Sequence, residues 1–125
     1  MTTRKIFNNI TELAEFKKDF KKLSKKYQSL SSDFETFKNT PLKAFHKLNI
    51  DNTGIIRISN LGIESPQIYK VKKFACKALK GTGAKSGIRI IYAYYPDDIV
   101  EFVEIYYKGD KANEDRERIK KYYGS

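Results

Sequence analysis

Lys70, Lys72 and Arg89 are the residues of this chain best suited to chemistry on a phosphate. The planar guanidinium of Arg89 can grip two phosphate oxygens at once and stays charged. Lys70 and Lys72 are two apart, so on one strand both side chains leave by the same face. Two ammonium groups that close depress each other's pKa, which suits one of them to act as a base. All three lie in the stretch from Gln67 to Tyr95, QIYKVKKFACKALKGTGAKSGIRIIYAYY. No Asp or Glu occurs between Glu64 and Asp97, whereas seven cations do: Lys70, Lys72, Lys73, Lys77, Lys80, Lys85 and Arg89. Tyr69, Phe74, Tyr92, Tyr94 and Tyr95 are interleaved with them. A cationic, aromatic surface free of acids suits a polyanion, RNA or DNA. Strand lysines also solubilise an exposed face or blunt a sheet edge; the absence of acids tips the reading toward nucleic acid. Lys73, Lys77, Lys80, Lys85 and Tyr69 are the expected contacts to backbone and bases.

Two runs rich in β-branched and aromatic residues flank the glycine-containing segment of this stretch, which is the pattern of a long β-hairpin. Gly81 to Gly87 is faintly like a phosphate-binding P-loop. However, Ala84 and Leu79 stand where glycines should be, and a strand follows where that loop needs a helix. Its glycines are expected to supply positive φ in a wide turn. The second arm, Ile88 to Tyr95, ends at Pro96-Asp97-Asp98, a turn signal. Ile99 to Tyr107 then reads as a further strand. Plain alternation places Phe102, Glu104 and Tyr106 on one face, and Glu101, Val103, Ile105 and Tyr107 on the other.

Upstream, Arg4 to Ile10 is a weak strand candidate. Thr11 offers an N-cap, and Leu13, Phe16, Phe20, Leu23 and Tyr27 form one helical apolar stripe over about 11–27. Lys17, Lys18, Lys21, Lys22, Lys25 and Lys26 take the other face, where most are expected to be simply solvated. Ser32-Asp33-Phe34-Glu35 has the capping-box pattern for a second helix over about 29–47, which Pro41 should break. The two helices make an αα-hairpin. His46 is expected to be a partly buried structural histidine. Ile55 to Leu61 reads as a short strand or an extended connector. Asn113 offers an N-cap for a short, polar, weakly docked C-terminal helix carrying Ile119, Tyr122 and Tyr123.

The chain of 125 residues suits one domain, 1–125, with one core. Its 25 Lys and Arg against 15 Asp and Glu give a net charge of +10, which favours attraction to phosphate. The single cysteine, Cys76, excludes an internal disulfide and is expected to be an inert packing residue. One His and one Cys cannot build a zinc site of the usual kind, and no metal or other cofactor is expected. No apolar run approaches the length of a membrane span, and the first residues lack a signal-peptide core, so the cytoplasm is the expected location.

Tyr69-Lys70-Val71-Lys72, then Gly87-Ile88-Arg89-Ile90-Ile91-Tyr92-Ala93-Tyr94, then Val100 to Lys108 resemble the RelE/ParE superfamily of bacterial type II toxins, in particular its RelE/HigB-type members. The resemblance is specific over Tyr69 to Glu117 and covers nearly the whole chain in element order. It implies an α+β fold: a helical hairpin packed on a mainly antiparallel, twisted sheet of three to four strands, with a short C-terminal helix. It also implies an mRNA endonuclease acting at the ribosome, and a cognate antitoxin protein as partner. The family's Lys-x-Lys matches Lys70 and Lys72, and its third-strand arginine matches Arg89. Where RelE-type members carry a further basic residue after the last strand, this chain has Lys108. Where others carry a His-Tyr pair, it has Tyr106-Tyr107.

The catalytic set implied is therefore Lys70, Lys72, Arg89, Tyr107 and Lys108. The reaction it implies is attack by the RNA's own 2′-OH, with a base for that hydroxyl, positive charge around phosphorus, and an acid for the leaving 5′-oxygen. Members that inhibit gyrase share the fold without this constellation, so a non-enzymatic inhibitor and a plain RNA-binding protein stand as alternatives.

Overall fold

The computed structural model describes residues 7–51, 53–79 and 86–124. Among them the order is β1 (Asn9–Glu12), α1 (Ala14–Lys26), α2 (Leu30–Asn39), α3 (Pro41–Leu48), β2 (Ile55–Arg57), β3 (Gln67–Val71), β4 (Ile88–Tyr95), β5 (Ile99–Tyr107) and α4 (Arg116–Tyr123). The fold is α+β. The strands form one five-stranded sheet in the order β1-β5-β4-β3-β2. β2 to β5 pair antiparallel, whereas β1 runs parallel to β5, with Asn9 opposite Ile99 and Glu12 opposite Phe102. The expected three- to four-stranded, mainly antiparallel sheet is thus corrected to a mixed sheet of five. The parallel pair lies at its edge, and the connection between its strands is long, as parallel neighbours need, running through the three helices α1 to α3 and the strands β2 to β4.

The apolar stripe of α1 does what its spacing predicts. Phe16 is fully buried and Tyr27 nearly so, with Phe20 and Leu23 packed beside them, while the lysines of the opposite face are exposed. Phe16 and Phe34 meet Phe102 of the sheet at ring distances of 5.5 and 4.8 Å. Each such fully buried side chain stabilises the fold by about 1.5–3 kcal/mol. The helix does not start at Thr11, which belongs to β1. Leu13 is the N-cap, without a side-chain bond. The chain is held extended through Glu12 by pairing to β5, and this outweighs the cap signal.

The second helical run breaks at Pro41, which opens α3. The Ser32 capping box does not form, because the helix already begins at Leu30. Ser29 and Asp33 bond each other instead at 2.6 Å, and Asp33 Oδ2 accepts the Lys77 N–H at 3.0 Å. This ties the segment after β3 to α2. The first arm of the expected hairpin therefore leaves the sheet after Val71, burying Phe74 and Cys76 in the helix-side core. Burial raises the Cys76 thiol pKa, in keeping with an inert packing role.

β5 overturns the plain alternation. Ile91 lies opposite Glu104 and Tyr92 opposite Phe102, so Val103 is an extra residue in the ladder. Such a bulge puts two successive side chains on one face. Phe102, Ile105 and Tyr107 therefore pack in the helix-side core, and Val103 and Tyr106 in the core on the other face. That second core is closed by α4, whose Ile119 is fully buried. α4 is firmly docked, contrary to expectation. Arg118 Nη1 donates to Asp19 Oδ2 at 2.6 Å and to the Val103 carbonyl at 2.9 Å. The N-cap is Asp115, accepting from the Arg118 N–H at 3.0 Å, because Asn113 lies before the first turn. No helix among the described residues is long and apolar enough to cross a membrane.

Candidate nucleic-acid interface

Strand register brings three of the expected residues to one end of one sheet face. Lys70 pairs with Ile91 and Val71 with Ile90, so Lys72 stands one residue past the last pair, beside Arg89. Arg89 Nη1 donates to the Lys72 carbonyl at 2.7 Å, which fixes the guanidinium against the strand end. Arg89 in turn lies opposite Tyr106. Lys72, Arg89 and Tyr106 thus form a row across three strands, with Lys72 exposed and Arg89 half-buried. Cross-strand neighbours of this kind have Cβ atoms roughly 4.5–5.5 Å apart, within reach of one phosphate group. Lys108 extends the same end. Its N–H donates to the Gly87 carbonyl at 2.8 Å and its side chain is exposed.

Lys70 lies one row further in and is not a free ammonium. Its Nζ meets Glu114 Oε1 at 2.9 Å, with the two side chains 15% and 6% exposed. Arg116 Nε reaches the other Glu114 oxygen at 3.2 Å. Burial by itself would lower the Lys70 pKa, but Glu114 and the nearby Tyr106 hydroxyl outweigh it and hold the ammonium above its ordinary value. The expectation that the two lysines depress each other is therefore corrected at Lys70. Burial would likewise raise the Glu114 carboxyl, and Lys70 and Arg116 bring it below its usual range. The Tyr106 hydroxyl is buried and has no hydrogen-bond partner in good geometry, so its influence on Lys70 is one of proximity. The Lys111 ammonium sits 5.3 Å from the centre of the Tyr106 ring and pairs with the buried Glu104 carboxylate. Glu104 Oε1 also accepts the Asp115 N–H at 2.8 Å, which places the segment carrying Glu114.

Tyr107 faces the other way. Its ring lies 5.8 Å from that of Tyr27, with the Lys26 ammonium 5.8 Å above it. The bulge at Val103 separates it from Arg89 and puts Tyr106 there in its place. Gly87 closes this corner at φ +87°, where an added Cβ would come within 3.0 Å of Tyr107 Cε1. Tyr69 is also on the helix side. It stacks on Tyr92 at 5.4 Å and donates to Gln67 Oε1 at 2.6 Å, away from the Lys72–Arg89 row. Lys73 and Lys77 are exposed on the segment that leaves β3. Lys80 and Lys85 lie outside the described residues.

Sequence reasoning chose Tyr107 over Tyr106 for the catalytic set and passed over Lys111, Glu114 and Arg116. Tyr106 was hidden by the bulge, and the other three are brought back to the sheet by a fold of the chain that no periodicity signals. A cavity of about 260 Å³ adjoins the row, between α1 and the edge of β5 that β1 leaves uncovered. Lys22, Lys26 and Lys111 line it together with Asp19 and Asp110. Among the described residues no group of three or more His, Cys, Asp or Glu is placed to hold a metal ion.

No family model, curated protein or solved structure matches this chain.

Proposed function

We propose that this protein is an endoribonuclease toxin that cleaves mRNA at the ribosome, is restrained by a cognate antitoxin protein, and uses the RNA's own 2′-OH as nucleophile. The observation that carries this reading is the row Lys72–Arg89–Tyr106 with the charged Lys70 directly behind it. In this reading Arg89 and Lys70 hold the scissile phosphate and stabilise the charge that develops on it. Lys70, kept protonated by Glu114, serves as a fixed cation. The base for the 2′-OH then falls to Lys72. The 2′-oxygen bonds to phosphorus, and the bond from phosphorus to the 5′-oxygen breaks. The exposed Lys108 ammonium at the same end of the sheet supplies the proton for the leaving oxygen, leaving a 2′,3′-cyclic phosphate and a 5′-hydroxyl. Tyr106, in place of Tyr107, positions the Lys70 ammonium beside its buried hydroxyl. Lys108, Lys73 and the α1 lysines add salt-sensitive, sequence-blind attraction to the backbone.

The neutralisation of Lys70 by Glu114 also fits a second reading, an RNA-binding or target-inhibiting protein without cleavage. Primer extension on mRNA in a translating extract separates the two. New 5′ ends that appear with the parent protein and vanish with Arg89→Ala support the nuclease. Arrested translation with intact mRNA supports the second reading.

A further inference from the structure

At the opposite end of β3 and β4 from Lys72 and Arg89 lies a second concave site, of different chemistry. A cavity of about 370 Å³ is lined by Phe45, His46, Asn49, Asp51, Gln67, Tyr69 and Tyr94. A neighbouring cavity of about 230 Å³ shares Gln67 and Tyr94 with it and adds Glu64. In a chain with 25 Lys and Arg, none lines either cavity. The formal charges there are the carboxylates of Asp51 and Glu64, both on exposed residues.

The walls are aromatic and rigidly set. His46 stacks on Tyr94 at 4.0 Å, and Phe45 meets Tyr69 edge-on at 5.6 Å. Tyr94 is pinned through its hydroxyl to Asp98 Oδ1 at 2.8 Å, and Tyr69 to Gln67 at 2.6 Å. Asp51 Oδ1 is held by the N–H groups of Thr53 and Ile55 at 3.1 Å, bonds in which its second oxygen takes no part. Leu48 and Ile50, which alternate along the chain with the lining residues Asn49 and Asp51, are 46% and 48% exposed. Burial keeps His46 neutral near pH 7, so it adds no positive charge.

The geometry points to a docking site for an arginine side chain of a partner protein, its guanidinium lying against the tyrosine rings and paired with Asp51. A planar cation is what aromatic walls and a carboxylate select together. Exposed Leu48 and Ile50 supply the apolar rim that a protein partner covers. A nucleotide fits less well, since its phosphates would meet Asp51 and Glu64 with no lining cation to offset them. This site is separate from the Lys72–Arg89 row and does not depend on the ribonuclease reading.

The test is an NMR titration of the full chain with Nα-acetyl-arginine amide and, in parallel, with its neutral isostere Nα-acetyl-citrulline amide. Saturable shifts centred on Tyr69, Tyr94, His46 and Gln67 are expected with the arginine compound. Citrulline should bind about threefold more weakly or worse, the ratio given by a cation–π contact at an exposed site. Asp51→Asn keeps an oxygen for the two backbone bonds and should weaken the arginine compound alone. Glu64→Gln, on an exposed loop, provides a second variant with no bearing on the core. Equal binding of both compounds, no effect of either substitution, or stronger shifts of the same residues by AMP would overturn the proposal.

Discussion

The Lys70 ammonium meets the Glu114 carboxylate at 2.9 Å across the sheet face that carries Arg89. The pair joins β3 to the segment leading into α4. Its two groups are held ionised in opposite senses, with Lys70 raised and Glu114 lowered. The Glu114 contribution is present above the unfolded carboxyl value of about 4.3 and lost as pH falls through its lower folded value. That of Lys70 is present below about 10.4 and lost as pH rises through its higher folded value. Glu114→Gln should cost about 1–3 kcal/mol at pH 7, because a mostly buried ammonium loses its ionic partner. Urea denaturation measures it. In a cycle with Lys70→Met, the double variant should lose less than the sum of the single losses. Strict additivity would show that the two residues do not interact.

His46 gives a second pH dependence. Its Nε2 and the Tyr92 hydroxyl share a hydrogen bond at 2.8 Å, within a group of aromatic rings. Burial depresses its pKa to about 4; Asp98 works against the shift and Lys47 with it. The unfolded chain binds this proton near pH 6.5, and the folded protein only near 4. Stability is therefore lost as pH falls from about 6.5 to about 4, by about 1–3 kcal/mol after allowance for partial exposure. His46→Gln should flatten the curve over that interval, measured by thermal or urea unfolding against the parent. An unchanged slope would rule out His46 as its source.

Gly87→Ala should destabilise by about 1–3 kcal/mol, since φ of +87° is strained for any side chain and the new methyl meets Tyr107. Gly62→Ala is the control for strain alone, since its φ is +71° and nothing lies within 4 Å of an added Cβ. The difference between their denaturation midpoints isolates the contact with Tyr107. Equal losses would mean that the contact contributes nothing.

Much of this fold was legible. The stripe from Leu13 to Tyr27, the break at Pro41 and the β4–β5 hairpin all appear where spacing and turn residues put them. Of the strand expected over Arg4 to Ile10, residues 4–6 lie outside the described residues, and the strand seen runs on to Glu12 because Ile10 and Thr11 pair with a β5 that lies far along the chain. IVEFVEIYY departs from alternation, since Glu101 and Glu104 are three apart, but that spacing does not say which residue is the extra one; the pairing with β4 makes it Val103 and so turns Tyr106 toward Arg89. Lys72 and Arg89 were identified because their charge type and strand period are local. Glu114 was not, because its pairing with Lys70 spans 44 residues.

Affinity for RNA or ribosomes should fall steeply with added salt, as each neutralised phosphate releases counterion. Lys22→Ala, on exposed α1, should reduce the salt slope slightly and leave turnover at saturation unchanged. Filter binding across a salt series checks the slope. Binding indifferent to salt would contradict a backbone interface.

The most direct measurement is single-turnover cleavage of mRNA on programmed ribosomes at saturating protein, comparing the parent with Arg89→Ala, Tyr106→Phe and Tyr107→Phe. Removal of a group that stabilises the developing charge typically costs about a hundred- to a thousandfold in rate. Arg89→Ala should show a loss of that order while its unfolding curve stays cooperative. Tyr106→Phe should slow cleavage, and Tyr107→Phe, on the far face, should not. Cleavage by Arg89→Ala at the parent's rate, or a loss confined to Tyr107→Phe, would contradict the placing of the reaction on the Lys72–Arg89–Tyr106 row.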